Sequence, residues 1–295
     1  MPKQWLVERI RAAAAEDVAL LPVHAAFGVR ALTARPGATA FGQRMGPWLL
    51  DRAGCLAPGA FLVAADAALG SAVNTALADG VSVLSLTIQA QFVTLDPGTA
   101  DGFTVRAEAQ HVGPSSGFSA GEIVDDGGRL IARLSTQCGY LPIAGPPDTE
   151  RRPVVMADEE WTPVEPDGVG PGLAVIAERR AGARIVDSRD GQVTIRAEAG
   201  SSVRNSRGVW QGGVLGLLVE QAISACLVRT SPALARAATM ELGVSYLRGV
   251  GPEQPGIEIT ALAEHPGRRF ALAHATGRDA AGRLVVSAVG SRYVS

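Results

Sequence analysis

Two carboxylates stand in helices that offer them no counter-charge. Glu220 lies in "NSRGVWQGGVLGLLVEQAISACLV" (205–228), which from Gly212 onward reads as a helix apolar nearly all round, the mark of a buried helix. Its helical neighbours Leu217, Gly216, Ile223 and Ser224 include no Lys or Arg, so nothing on the same helix neutralises it. Asp66, in "GAFLVAADAALGSA", is in the same position. An unpaired buried carboxylate is costly, and its escapes are a partner from another element, a raised pKa or a wet cavity. A carboxylate so placed can act as a general base on water or attack a carbonyl directly. Gly212 and Gly213 precede Glu220 at the helix start, and Pro58 and Gly59 precede Asp66. The unpaired N–H groups of a helix N-terminus carry the positive dipole end and can hold a developing oxyanion, and glycine admits close approach. Each acid lies two turns deeper, about 10 Å along the axis.

The elements that must hold these groups occur twice. A step of 154 residues, from Gly28 to Gly182, also superposes Gly37 on Gly191, Gly54 on Gly208, Gly59 on Gly213, Gly102 on Gly256 and His111 on His265, without a gap from about 28 to 130. Such a period exceeds those of solenoids and propellers and marks a duplicated domain. The same step sets Asp66 against Glu220, Ser85 against Thr239, Asp51 against Asn205 and Ala57 against Gln211. In each copy strand-like segments bracket Gly37 or Gly191, and the apolar helix follows at 58–77 or 212–228. Four strand-like stretches come next, at 83–94, 102–113, 116–125 and 129–140, or at 237–248, 256–265, 270–279 and 283–294. "DDGGR" and "DAAGR" join the last two of each set as hairpins. One long buried helix against antiparallel strands predicts an α+β arrangement in which the sheet wraps the helix. The expected organisation is a helical leader at 1–22, domains at 23–140 and 173–295, and a Pro- and acid-rich linker at 141–172.

Composition narrows the function class. The formal net charge of -2 and the lack of a long basic cluster argue against a nucleic-acid groove. Cys55, Cys138 and Cys226 are odd in number, scattered and outside any C-x-x-C pattern, so neither a disulfide framework nor a metal site is expected, and a reducing cytoplasm fits. The N-terminus has scattered charges and reads as a short amphipathic helix, not a secretory signal. The apolar runs at 58–78 and 212–228 are each interrupted by an acid and fall short of a membrane span. A soluble cytoplasmic protein without cofactor, nucleic-acid partner or membrane partner is expected.

The motif "NSRGVWQGG" (205–213), with an acid nine residues beyond Gln211, resembles the hotdog-fold thioesterases of the PaaI-like and 4-hydroxybenzoyl-CoA thioesterase type. Their motif runs N-x-x-G-x-x-H-G-G, with Asp or Glu nine residues beyond the His. "TMELGVSYLR" (239–248) is similar to the strand that follows in that family, whose first position, here Thr239, is often Ser or Thr near the catalytic water. The resemblance covers about 28–140 and 182–295. It implies a double hotdog, two α+β domains side by side with continuous sheets and facing helices, acting on an acyl-CoA substrate as a thioesterase. It further implies Glu220 as base or nucleophile, the Gly213 N–H as oxyanion donor, and Asn205, Gln211 and Thr239 as the polar shell. Asp66 with Ser85 would form a second site, and Gly212, Trp210, Gly59 and Ser224 would contact substrate. Gln211 replaces the family His and can donate a hydrogen bond but cannot transfer a proton near neutral pH. That departure favours a non-catalytic acyl-CoA or apolar-ligand binder, whereas two buried acids favour an enzyme. A hotdog hydratase or dehydratase would need the absent His. Fused pairs of this kind can assemble further into homo-oligomers.

Each residue also has a structural reading. Glu220 can find a backbone or Arg partner elsewhere, Asn205 and Gln211 can cap a loop or helix start, and Gly212 with Gly213 can permit close helix packing. Ser224 can bond its own backbone or Glu220. His111 and His265 read as structural strand-end residues, while His24 and His274 have no polar company. Arg268 and Arg269 suit either CoA phosphates or a solvated strand end.

Overall fold

The structure, a computed structural model, describes residues 2–143, 173–198, 200–237 and 239–294, so the linker expectation lies from 144 onward outside the described residues. The first copy contains α1 (Gln4–Ala15), α2 (Pro22–Ala26), β1 (Val29–Arg35), β2 (Ala38–Arg44), α3 (Leu62–Ala76), β3 (Val81–Phe92), β4 (Gly102–Val112), β5 (Ser116–Asp125) and β6 (Leu130–Pro142). The second contains α4 (Val175–Ala181), β7 (Ala183–Arg189), β8 (Gln192–Ala197), α5 (Gly212–Thr230), β9 (Thr239–Tyr246), β10 (Ile257–Pro266), β11 (Phe270–Asp279) and β12 (Leu284–Tyr293). The first copy's long helix begins at Leu62, four residues after the expected start at 58, because Pro58–Phe61 form a 3₁₀ turn.

The strands form one antiparallel sheet in the order β1-β2-β4-β5-β6-β3-β9-β12-β11-β10-β8-β7. The second half repeats the first in reverse. The halves join where β3 pairs with β9, centred on Gln89 opposite Gly243, two residues that the 154-residue step superposes. A pseudo-twofold axis therefore passes through that pair, and the two sheets are continuous. Helices α3 and α5 fill the inside of the curled sheet and pack on each other. The stretches Pro58–Ala76 and Gly212–Thr230 are long and apolar enough to cross a membrane, but their most apolar windows are 78% and 89% buried inside the fold, as core helices require.

Small residues decide how closely the helices meet. A Cβ on Gly213 would lie 2.2 Å from the Leu62 carbonyl oxygen and 2.4 Å from Val63 Cα. On the pseudo-symmetric side a Cβ on Gly59 would lie 2.9 Å from Leu217 Cα. Glycine at both positions lets the N-terminal turn of each helix segment run over the other copy's helix, which sets the geometry of the site.

Candidate active site

A cavity of about 270 Å³ lies between α3, the first half of β3 and the loop that leads into α5. Asp66 is its acid. Ser85 Oγ donates to Asp66 Oδ1 at 2.7 Å, and the first turn of α5, whose Gly212 and Gly213 N–H groups have no partner within the helix, faces the carboxylate. A Cβ on Gly212 would lie only 3.1 and 3.2 Å from the two carboxylate oxygens. Burial raises the Asp66 pKa above the ordinary carboxylate range, opposed in turn by Ser85, Gly213, the Arg207 charge and Gly212.

The cavity collects unsatisfied polar atoms. His24 Nδ1, Trp210 Nε1, Gln211 Oε1 and Tyr246 OH are buried without a hydrogen-bond partner among the described residues, and all four residues line this cavity. Buried polar atoms nearly always find partners, so their concentration here marks room for a bound molecule or water. Burial lowers the His24 pKa to about 4 and leaves a neutral imidazole near pH 7. Burial, then Asp66, raises Tyr246 well above its ordinary value, so its hydroxyl keeps its proton. Burial, then Asp66, pushes the neighbouring Cys138 thiol up to about 12, which makes it unreactive. Arg207 and Arg248 stand exposed at the rim.

The pseudo-equivalent cavity is closed. Glu220 is 0% exposed and accepts hydrogen bonds from Gly59 N at 3.2 Å, Gln221 Nε2 at 2.6 Å and Ser224 Oγ. It also pairs at 3.7 Å with Arg292, itself 2% exposed, whose Nη1 donates to the Leu234 carbonyl. Only about 40 Å³ remains beside them. The 154-residue step explains the filling, since Gln221 replaces Ala67, Ser224 replaces Gly70, Arg52 replaces Ser206 and Arg292 replaces Cys138. Arg52 is held in turn by Glu178 at 2.8 Å, whose counterpart in the first copy is His24.

The expected grouping around Glu220 is therefore corrected. Because each helix start runs over the other copy's helix, Gln211, Gly212 and Gly213 face Asp66, while Gly59 faces Glu220. Glu220 has the structural partners, Arg292 above all. Asn205 Oδ1 accepts from Arg207 N at 2.9 Å in a turn that Asp51 repeats with Ala53 N, and Gly54 and Gly208 share φ +77° at its end. Gln211 Nε2 donates to the Val63 carbonyl at 3.1 Å and ties α5 to α3. Trp210 is buried against the cavity. Thr239 opens β9 opposite Tyr293, and its side chain lies outside the described residues. Arg269 stacks over Tyr293 at 5.8 Å, at the far strand ends. The cavity cations are instead Arg207 and Arg248, which with Tyr246 sit inside the two quoted motifs, whose spacing does not mark them.

No family model and no curated protein matches the sequence. Solved structures do match. The tesB protein of Mycobacterium avium subsp. paratuberculosis is similar at 12% identity and a TM-score of 0.59, over 96% of this chain and 99% of that one. Acyl-CoA thioesterase II TesB2 from Mycobacterium marinum matches at 10% identity and a TM-score of 0.61, over 92% and 98%. A protein with the hot dog fold from Alicyclobacillus acidocaldarius matches at 12% identity and 0.58, over 92% and 97%. At such identities the likeness concerns the fold, and it runs through both copies. One sheet wrapped around two crossed central helices, repeated about the β3–β9 join and matched end to end, makes this chain a double hotdog protein.

Proposed function

We propose that the protein is a thioester hydrolase that cleaves acyl-CoA at one site, built on Asp66. The observation that carries this reading is a carboxylate of raised pKa in a cavity, facing the free N–H groups at the start of the other copy's helix. A substrate carbonyl oxygen would take the carboxylate's place on the Gly212 and Gly213 N–H groups, where the helix end stabilises the oxyanion. Asp66, still held by Ser85, then activates water or attacks the carbonyl carbon. In the second case an anhydride forms, CoA leaves as the thiolate and takes a proton from solvent, and water hydrolyses the anhydride. Tyr246 supplies a neutral hydroxyl beside the reacting atoms. Arg207 and Arg248 at the rim suit the phosphates of CoA. The acyl-CoA thioesterase II TesB2 among the fold neighbours supports the reaction class.

Gln211 favours a second reading, a binder of acyl-CoA, because its amide is committed to Val63 and cannot shuttle a proton. Release of CoA thiol from short, medium, long and aryl acyl-CoAs separates the two. Turnover by the wild type that falls about 10²-fold or more in Asp66→Asn supports the enzyme. Thermal protection by the esters without thiol release supports the binder.

A further inference from the structure

The cavity continues past Asp66 along one face of α3, where Ala67, Gly70, Ser71 and Asn74 line it. The opposite wall is the first half of β3. Ser85 bonds Asp66, Val83 Cγ2 is the nearest atom to a Cβ built on Gly70, at 3.8 Å, and the Val81 carbonyl accepts from Lys3 Nζ, which also donates to Asn74 Oδ1 at 2.6 Å. Strand and helix thus run antiparallel, and the cavity forms a channel along both, beside the close approach of Val83 to Gly70. Val81 to Thr87 are half-buried without alternation, and the alternation of a covered strand begins only at Ile88.

The far end of this channel is polar. Lys3 is 1% exposed, and its ammonium can only donate, so it fixes the Asn74 oxygen and leaves the amide NH₂ as the group Asn74 offers to the cavity. Ser71 lines the same face, and its hydroxyl has no protein partner among the described residues. The fold does not require polarity here. In the closed copy the corresponding residues are Ala225 and Val228. Trp5, whose Nε1 donates to Asp79 at 2.8 Å, and Lys3 place the start of the leader helix over this end.

Resting on the thioesterase reading, we infer that the acyl arm is built for an acyl group of about eight carbons that ends in a hydrogen-bond-accepting oxygen. Asn74 lies eight residues beyond Asp66, about 12 Å along the helix. An extended chain advances about 1.2 Å per bond. An eight-carbon acyl group with a terminal oxygen, plus a hydrogen bond of about 2.9 Å, spans that distance. An unsubstituted chain of the same length would bring a methyl group against the Asn74 amide and leave its N–H donors without a partner.

The test compares 8-hydroxyoctanoyl-CoA with octanoyl-CoA, by kcat/KM for thiol release and by shift of the thermal midpoint, in wild type, Asn74→Leu and Ser71→Ala. The wild type should favour the hydroxylated ester about tenfold or more. Asn74→Leu, which makes the site more like its apolar counterpart, should abolish or invert that ratio while still accepting octanoyl-CoA. Ser71→Ala, which leaves Lys3 and Asn74 intact, should reduce the ratio without abolishing it. Equal treatment of the two esters by the wild type, or a preference that persists in Asn74→Leu, overturns the inference. Failure of the thioesterase reading shows separately, as no thiol release from either ester. The midpoint shifts then decide, because stronger protection by the hydroxylated ester that Asn74→Leu removes sustains the polar arm, and equal protection removes it.

Discussion

Removing the Arg292 guanidinium should expose how the second cavity was closed. Arg292 and Glu220 are 2% and 0% exposed and 3.7 Å apart, so Arg292→Met leaves a carboxylate in the core with neutral donors alone. Breaking a buried pair from one side costs about 3–5 kcal/mol, because the remaining charge keeps its desolvation penalty. At about 2–4 °C per kcal/mol for chains of roughly this size, the thermal midpoint should fall by about 6–20 °C. Arg292→Met combined with Glu220→Gln removes both charges, keeps an acceptor oxygen for the donors that hold Glu220, and should recover part of the loss. Urea and thermal midpoints of the two single variants and the double variant provide the assay. A change under about 1 kcal/mol for Arg292→Met, or a double variant no better than either single variant, would refute a stabilising pair at this position.

The stability contribution of Asp66 depends on pH. Its folded-state pKa is raised, so its contribution to stability is present below the ordinary value of 3.8 and is lost as pH rises through the folded pKa. Asp66→Asn should therefore raise the thermal midpoint at neutral pH, and more there than at acid pH. The same shift predicts that kcat/KM rises with pH through an apparent pKa above 3.8, and a profile flat down to pH 4 would contradict an ionised Asp66 as the acting group. Gly213→Ala would put a Cβ 2.2 Å from the Leu62 oxygen and should cost about 1–3 kcal/mol or more as the helices separate, measured by urea unfolding. Gly70→Ala has only Val83 Cγ2 within 4 Å and should be neutral or stabilising by up to about 1 kcal/mol, while narrowing the acyl arm and selecting for smaller acyl groups.

Much of the fold was legible because the chain states it twice. The glycines at 59 and 213, the hairpin turns and the apolar helices recur at one step, and that step returns in the structure as the Gln89–Gly243 axis. The crossing of the helices was not legible. Offsets along a chain say which residues are equivalent but not which ones touch, so Glu220 was grouped with Gly213 from its own segment although the N–H groups there turn to Asp66. The apolar neighbours of Glu220 suggested a carboxylate without a partner, but its partner comes from β12, 72 positions later in sequence, and only the exchange of Cys138 for Arg292 in the repeat hints at it. The cavity escaped the sequence for a related reason. It is defined by small residues, Ala67, Gly70 and Ser206, where the closed copy has Gln221, Ser224 and Arg52, and an absence of volume becomes visible only when the walls are in place.

Under the proposed function one of the two equivalent acids does the chemistry, and it is Asp66. The direct measurement is steady-state release of CoA thiol by Asp66→Asn beside the Glu220→Gln/Arg292→Met double variant, each confirmed folded at the assay temperature. Asp66→Asn should lose about 10²-fold or more in kcat, and the double variant should stay within a few-fold of wild type. Full activity in Asp66→Asn with loss in the folded double variant would contradict this assignment and return the reaction to Glu220.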